Sequence, residues 1–203
     1  MAKWIDTQVS CAILAGGLSR RMGSDKAELL WNGMSFLNWQ LKKAAELGCQ
    51  DLMISGNEFN VEHVRTIPDI ISRCGPLGGM YSCFLQAHFP NCLVISVDTP
   101  CIPLKYLKQL VCTHLAGDAQ ATLLKTNQGV EPLIGVYRCE TTKQMESLIK
   151  NCDYSVQALL SLISTDTVSY TEPSGYLMNC NTPEDYQRLC RRDAMRSTDK
   201  DPF

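Results

Sequence analysis

Val9-Ser10-Cys11-Ala12-Ile13-Leu14 runs directly into Ala15-Gly16-Gly17-Leu18-Ser19-Arg20-Arg21-Met22-Gly23-Ser24-Asp25-Lys26-Ala27. The first six residues are a short apolar run of the kind that forms a buried strand. Gly16 and Gly17 end it, and glycine lets a ligand approach the backbone closely. A glycine-rich turn after a strand can present several backbone N–H groups to phosphate oxygens. Arg20, Arg21 and Lys26 can then neutralise the rest of a triphosphate. The stretch is neither of the common phosphate loops: no Lys-Ser/Thr pair follows Gly23, and no G-x-G-x-x-G occurs. On residue types alone, a surface turn with solvated charges reads equally well.

Outward from this stretch, strands and helices alternate. Ser35 can cap a helix with Leu37, Leu41, Ala44, Ala45 and Leu47 on one side, stopped by Gly48. Strands are predicted at 51–55, 64–67 and 92–97, the last being the most apolar run in the chain. A helix enters through Gly75-Pro76-Leu77-Gly78-Gly79, and another opens after Pro103. Two strands, 121–124 and 132–137, flank a polar turn at Asn127-Gln128-Gly129. Thr141 and Ser155 read as caps of two short helices, the second through Ile163, and 167–170 as an edge strand. Thr182-Pro183-Glu184-Asp185 opens the last helix. This alternation predicts an α/β fold: a single-domain, Rossmann-like three-layer sandwich with a mostly parallel sheet. Residues 1–192 are read as the domain and 193–203 as a flexible C-terminal tail.

Composition narrows the function. With 19 basic and 21 acidic residues, the formal net charge is −2. No basic surplus points to nucleic acid or a membrane surface. No apolar run is long enough to span a bilayer, and the first ten residues have no signal-like apolar core. The reading is cytoplasmic. The 11 cysteines show no C-x-x-C pair. Cys11, Cys83, Cys92 and Cys112 fall in apolar patterns and read as small buried hydrophobes. His63, His88 and His114 read as structural or solvated.

In an open parallel sheet, ligands bind beyond the carboxyl ends of the strands. The unusual residues stand there: Gly16 and Gly17, Ser55, Asp69 and Asp98. Asp98, between an apolar strand and Thr99-Pro100, suits Mg²⁺, which favours oxygen ligands and substrate phosphates. It suits a helix cap as well.

The string from Leu14 to Lys26 resembles the signature L-A-G-G-x-S-x-R-M-G-x-D-K of the nucleotidyltransferases related to molybdenum cofactor guanylyltransferase. The resemblance continues in order through Ser55, Asp69, Gly75 to Gly79, Asp98-Thr99-Pro100 with Pro103, and Asn179-Cys180-Asn181-Thr182-Pro183-Glu184-Asp185. It covers residues 9 to 190. It implies that Leu14, Ala15, Gly16 and Gly17 hold a guanine nucleotide through the backbone, and that Arg21 and Lys26 meet its phosphates. It further implies that Ser55 and Asp69 contact base or ribose, that Asp98 binds Mg²⁺, and that Asn179 and Asn181 line a molybdopterin site. The implied partners are GTP, molybdenum-bound molybdopterin, a protein that donates the pterin and an apo-molybdoenzyme that receives the product. The implied reaction joins GMP from GTP to molybdopterin and releases pyrophosphate.

A phosphate nucleophile is already anionic near neutral pH, so this chemistry needs charge neutralisation and alignment, supplied by Arg21, Lys26 and Mg²⁺ on Asp98, and no activated His or Cys. Arg20 reads as solvent-facing, and Asp25 either as orienting Lys26 or as a solvated turn acid. Two features depart from the family pattern: Asp153-Tyr154-Ser155-Val156 has only Lys150 as a nearby cation, and Glu131-Pro132 adds an acid where the pterin could lie. A cytidylyltransferase acting on the same pterin, a sugar-phosphate nucleotidyltransferase and a non-catalytic nucleotide-binding adaptor are the alternatives.

Overall fold

In the computed structural model of the protein, residues 8–15, 26–56, 59–172, 177 and 179–196 are described. Val9–Leu14 (β1) is buried along its whole length. After it, Leu30–Trp31 (β2) and Met34–Ser35 (β3) form a small separate hairpin that the apolar pattern does not reveal. Its turn is Asn32-Gly33, both with positive φ, 49° and 76°, as a tight two-residue hairpin requires. Asp51–Ser55 (β4), Arg65–Ile67 (β5), Asn91–Ser96 (β6), Ala121–Thr126 (β7), Gly129–Arg138 (β8) and Thr165–Ser169 (β9) complete the strands. The main sheet has the order β5-β4-β1-β6-β8-β7-β9. β1 pairs in parallel with β4 on one side and β6 on the other, while β8 pairs antiparallel with both β6 and β7. β8 is thus the one reversed strand in a sheet that otherwise runs one way, the mostly parallel arrangement expected.

Alternation along β1 divides the core. Cys11 and Ile13 face Phe36, Leu41 and Ala44 of Phe36–Glu46 (α1) and Leu107 and Leu110 of Leu104–Ala116 (α3). Ala12 and Leu14 face Leu77, Met80 and Phe84 of Gly75–Gln86 (α2). Met145 and Ile149 of Thr142–Lys150 (α4) and Leu159 of Val156–Leu160 (α5) join that second face. Pro183–Arg196 (α6) packs on the α1 side through Leu189. Helices on both faces make the three layers. Each fully buried large side chain contributes about 1.5–3 kcal/mol over exposure.

Several local expectations change. Thr141 makes no cap bond; its hydroxyl donates back to the Arg138 carbonyl at 2.8 Å, and a 3-10 turn at Cys139–Thr141 leads into α4. Ser155 does cap α5, accepting from the Ala158 N–H at 3.3 Å, but the helix ends at Leu160, before Ile163. Cys112 is exposed on α3, whereas Cys11, Cys83 and Cys92 are buried as expected. α6 continues to Arg196, beyond residue 192. Among the described residues, no helix is long and apolar enough to cross a membrane.

The amino-terminal end of the sheet is closed by polar contacts. Asp51 accepts from Ser10 Oγ at 2.5 Å, Arg65 Nη2 at 2.6 Å and the His88 N–H at 2.9 Å. Burial raises its pKa, but these donors outweigh that and hold it below the ordinary value. His114 is buried between Thr122 Oγ1 and Asn91 Oδ1, each at 3.1 Å. Burial lowers its pKa to about 4, so it is neutral at pH 7 and structural.

Candidate active site

The opposite, carboxyl-terminal end of the parallel strands carries the residues singled out above. β1 ends in Leu14, 6% exposed, whose carbonyl accepts from the Val97 N–H at 3.1 Å. Ala15 donates its N–H to the Ser55 carbonyl at 3.2 Å. These two bonds tie the start of the glycine-rich stretch to the ends of β6 and β4. Gly16, Gly17, Arg20, Arg21 and Asp25 lie outside the described residues.

Beyond that stretch, Lys26–Glu28 forms a 3-10 turn that returns Lys26 to the sheet end. Lys26 Nζ donates to Asn181 Oδ1 at 2.6 Å and stands 3.7 Å from Asp98 Oδ2. Lys26 and Asp98 are both mostly buried, their side chains 17% and 18% exposed. Asp98 Oδ1 accepts from Ser96 Oγ at 2.5 Å. Asn181 comes from a distant segment, seated by the Cys180 N–H on the Asp98 carbonyl at 2.9 Å. It is fixed from its other side by the start of α6. Asp185 Oδ2 accepts from the N–H groups of Asn181 and Thr182, and Thr182 Oγ1 accepts from the Asp185 N–H at 3.2 Å. This reciprocal cap anchors the segment as well as the helix. Asn179 is exposed and contributes its carbonyl, which accepts from the Asn181 N–H at 3.1 Å. Lys26, Asp98 and Asn181 are therefore brought together, with Asn179 adjacent in the chain.

A second group forms beside β4 and β5. Ser55 Oγ donates to Asp69 Oδ1 at 3.5 Å. Burial raises the Asp69 pKa, against the Ser55 hydrogen bond. The turn after Asp69 is pinned to α2, where Ser82 Oγ accepts from the Ile70 N–H at 2.9 Å and donates to the Gly78 carbonyl at 2.8 Å. Gly79 packs against Ser55 so closely that a Cβ there would lie 2.3 Å from Ser55 Oγ. Gly79→Ala is expected to lower stability by about 1–3 kcal/mol through overpacking. Adding Ser55→Ala removes the clashing oxygen, so the urea-unfolding midpoint of the double variant should recover most of that loss.

Glu131 sits by the irregularity where the register of β7 and β8 shifts between Leu123 and Leu124. Burial and then the Asp98 charge raise its pKa. Sequence reasoning had already marked Glu131 as a local departure. It missed Ser96, Gln40 and Lys43. The signal for the last two was available: both are polar, yet they fall on the inward face of α1 with Leu37, Leu41 and Ala44.

The donors suit an ion that arrives with its substrate. Among the described residues no group of three His, Cys, Asp or Glu side chains could hold a metal alone. Mg²⁺ takes one or two carboxylates together with waters and substrate phosphates. Asp98 offers one such carboxylate, while the Lys26 ammonium beside it suits a phosphate oxygen rather than a metal.

The family described as MobA-like NTP transferase domain matches residues 11–168. A probable molybdenum cofactor guanylyltransferase of Synechococcus elongatus is 32% identical over 189 residues, covering 87% of this chain and 95% of its own. Molybdenum cofactor guanylyltransferase of Xanthomonas euvesicatoria is 29% identical over 184 residues, with 87% and 92% covered. The crystal structure of molybdopterin-guanine dinucleotide biosynthesis protein A from Archaeoglobus fulgidus shares the fold, with a TM-score of 0.76 at 20% identity over 92% of this chain and 100% of that one. With the matched family spanning β1 through β9 almost entirely, this chain belongs to the MobA-like NTP transferase domain family.

Proposed function

We propose that the protein transfers GMP from GTP to the terminal phosphate of molybdenum-bound molybdopterin, forming the guanine dinucleotide cofactor and pyrophosphate. The observation that carries this reading is the meeting of Lys26, Asp98 and Asn181 at the carboxyl ends of β1 and β6. Relatives named as guanylyltransferases, matching over most of their length, supply the nucleotide and the acceptor. A phosphate oxygen of molybdopterin attacks the α-phosphorus of GTP. The bond from that phosphorus to the bridging oxygen breaks, and pyrophosphate leaves with the electron pair.

In this reading Leu14, Ala15, Gly16 and Gly17 seat the nucleotide, and Ser55 and Asp69 hold its base or ribose. Arg21 and Lys26 neutralise the triphosphate. Lys26 exchanges Asn181 for a phosphate oxygen as GTP enters, which frees Asn181 and its neighbour Asn179 for the acceptor. Mg²⁺ bound at Asp98 supplies further neutralisation of the phosphates. A cytoplasmic setting, a protein that donates molybdopterin and an apo-molybdoenzyme that takes the product belong to the same proposal.

The test is an assay with Mg²⁺, molybdate-loaded molybdopterin and each nucleoside triphosphate in turn, following pyrophosphate and product mass. Dinucleotide from GTP alone is the expected result. Product from CTP alone overturns the base assignment. Tight GTP binding without product from any nucleotide overturns the transferase reading in favour of a binding module.

A further inference from the structure

The face of α1 that packs on β1 is apolar except at two positions. Gln40 is fully buried. Its Nε2 donates to the Ser96 carbonyl at 2.9 Å and to the Thr99 carbonyl at 2.8 Å. Lys43, 9% exposed, donates from Nζ to the Pro100 carbonyl and, at 3.4 Å, to Gln40 Oε1. The turn they hold also folds on itself, with Thr99 Oγ1 donating to the Ser96 carbonyl at 3.0 Å. Carbonyls on both sides of Asp98 are thus fixed from one helix face, and Ser96 Oγ passes the constraint to the carboxylate itself.

Gln40 and Lys43 donate to main-chain carbonyls of a buried turn, so they contribute to stability as well as to its conformation. A buried amide or ammonium is costly unless fully hydrogen-bonded. Removing such a donor while its backbone acceptor stays buried is costly. Burial pushes the Lys43 pKa down to about 8, the direction expected for an ammonium taken out of water. The two side chains also supply a single conformation for Ser96 to Pro100.

We propose that Gln40 and Lys43 are positioning residues, which hold the Ser96–Pro100 turn so that the Asp98 carboxylate is set to take a divalent cation with the nucleotide. The inference rests on the Asp98 role in the reaction proposed above. Neither side chain touches substrate in this account; both act through the turn.

Gln40→Met and Lys43→Met keep side-chain length and remove the donors. Two readouts decide the matter, with thermal melting as the control for folding. Hydrogen exchange at Val97 to Ile102 should accelerate about tenfold or more if the turn has lost its clamp. Mn²⁺ affinity in the presence of a non-hydrolysable GTP analogue, read by electron paramagnetic resonance, should weaken about tenfold, the scale on which loss of a group that orients a metal ligand acts. In the transfer assay kcat falls while KM for GTP stays near the wild-type value. Wild-type Mn²⁺ affinity in either folded variant overturns the proposal, whether or not exchange has accelerated. If Gln40→Met does not fold, Lys43→Met carries the same test. Failure of the wild-type protein to turn over any nucleotide would sink the reaction assignment, while exchange and Mn²⁺ affinity would still decide the clamp.

Discussion

Asp98→Asn is expected to lower kcat/KM for GMP transfer by about 10³-fold, the scale on which removal of one preorganised electrostatic contact acts in a water-poor site. The substitution is nearly isosteric. The Asn amide oxygen can still accept from Ser96 Oγ, and the main-chain bond from Cys180 to residue 98 is untouched, so the fold is retained. What is lost is the anionic oxygen that draws a divalent ion to the end of β6. GTP affinity without metal should therefore remain within a fewfold of wild type or rise, because Lys26 is released from its carboxylate neighbour. Steady-state transfer at saturating Mg²⁺, with calorimetric GTP binding beside it, separates the two effects. Turnover within about tenfold of wild type would remove Asp98 from the site.

Lys26→Met is the second large effect, an expected loss of about 10²- to 10³-fold in kcat/KM. Here both KM and kcat should change. The ammonium meets phosphate in the ground state and stabilises the added negative charge as pyrophosphate departs. Methionine keeps the stem packed, so the measurement reads charge rather than a cavity. The variant also leaves Asn181 Oδ1 without its 2.6 Å donor, which should loosen the segment seated on Asp98. Lys26→Arg restores charge with a different shape and should recover part of the activity. A Met variant with unchanged KM for GTP would show that Lys26 does not hold the nucleotide.

How far the sequence reached depends on the kind of signal. β1 and β6 were legible because a strand buried on both faces is an unbroken apolar run, and Val9–Leu14 and Cys92–Val97 are the clearest in the chain. The positions of Ser55, Asp69 and Asp98 at strand ends followed from those boundaries. Their grouping did not. Lys26 and Asn181 are 155 residues apart, and no local pattern says that the last segment crosses back to the first. The reversed direction of β8 was equally hidden, since apolar content does not encode strand polarity; the short turn at Asn127-Gln128 before it was the only hint. Ser155 and Thr141 show the limit of cap reading. Each is a hydroxyl before a helix, but Thr141 lies in a 3-10 turn with αR backbone, which aims its hydroxyl backward. Gln40 and Lys43 were overlooked for a different reason: on an amphipathic helix, attention goes to the apolar stripe, and polar residues inside it pass as noise.

The scattered thiols give the molecule a set of internal clocks. Exposed Cys112, Cys152 and Cys190 offer a reagent immediate access. Cys83 and Cys180, their pKa values pushed up to about 12 mainly by burial, form little thiolate in the closed state and react only when the structure around them opens. Cys83 is on the buried face of α2 and reports the unfastening of that layer. Cys180 lies between Asn179 and Asn181, on the main-chain bond to Asp98. Its alkylation therefore reports how often the segment around Asn181 lets go of the Asp98 turn.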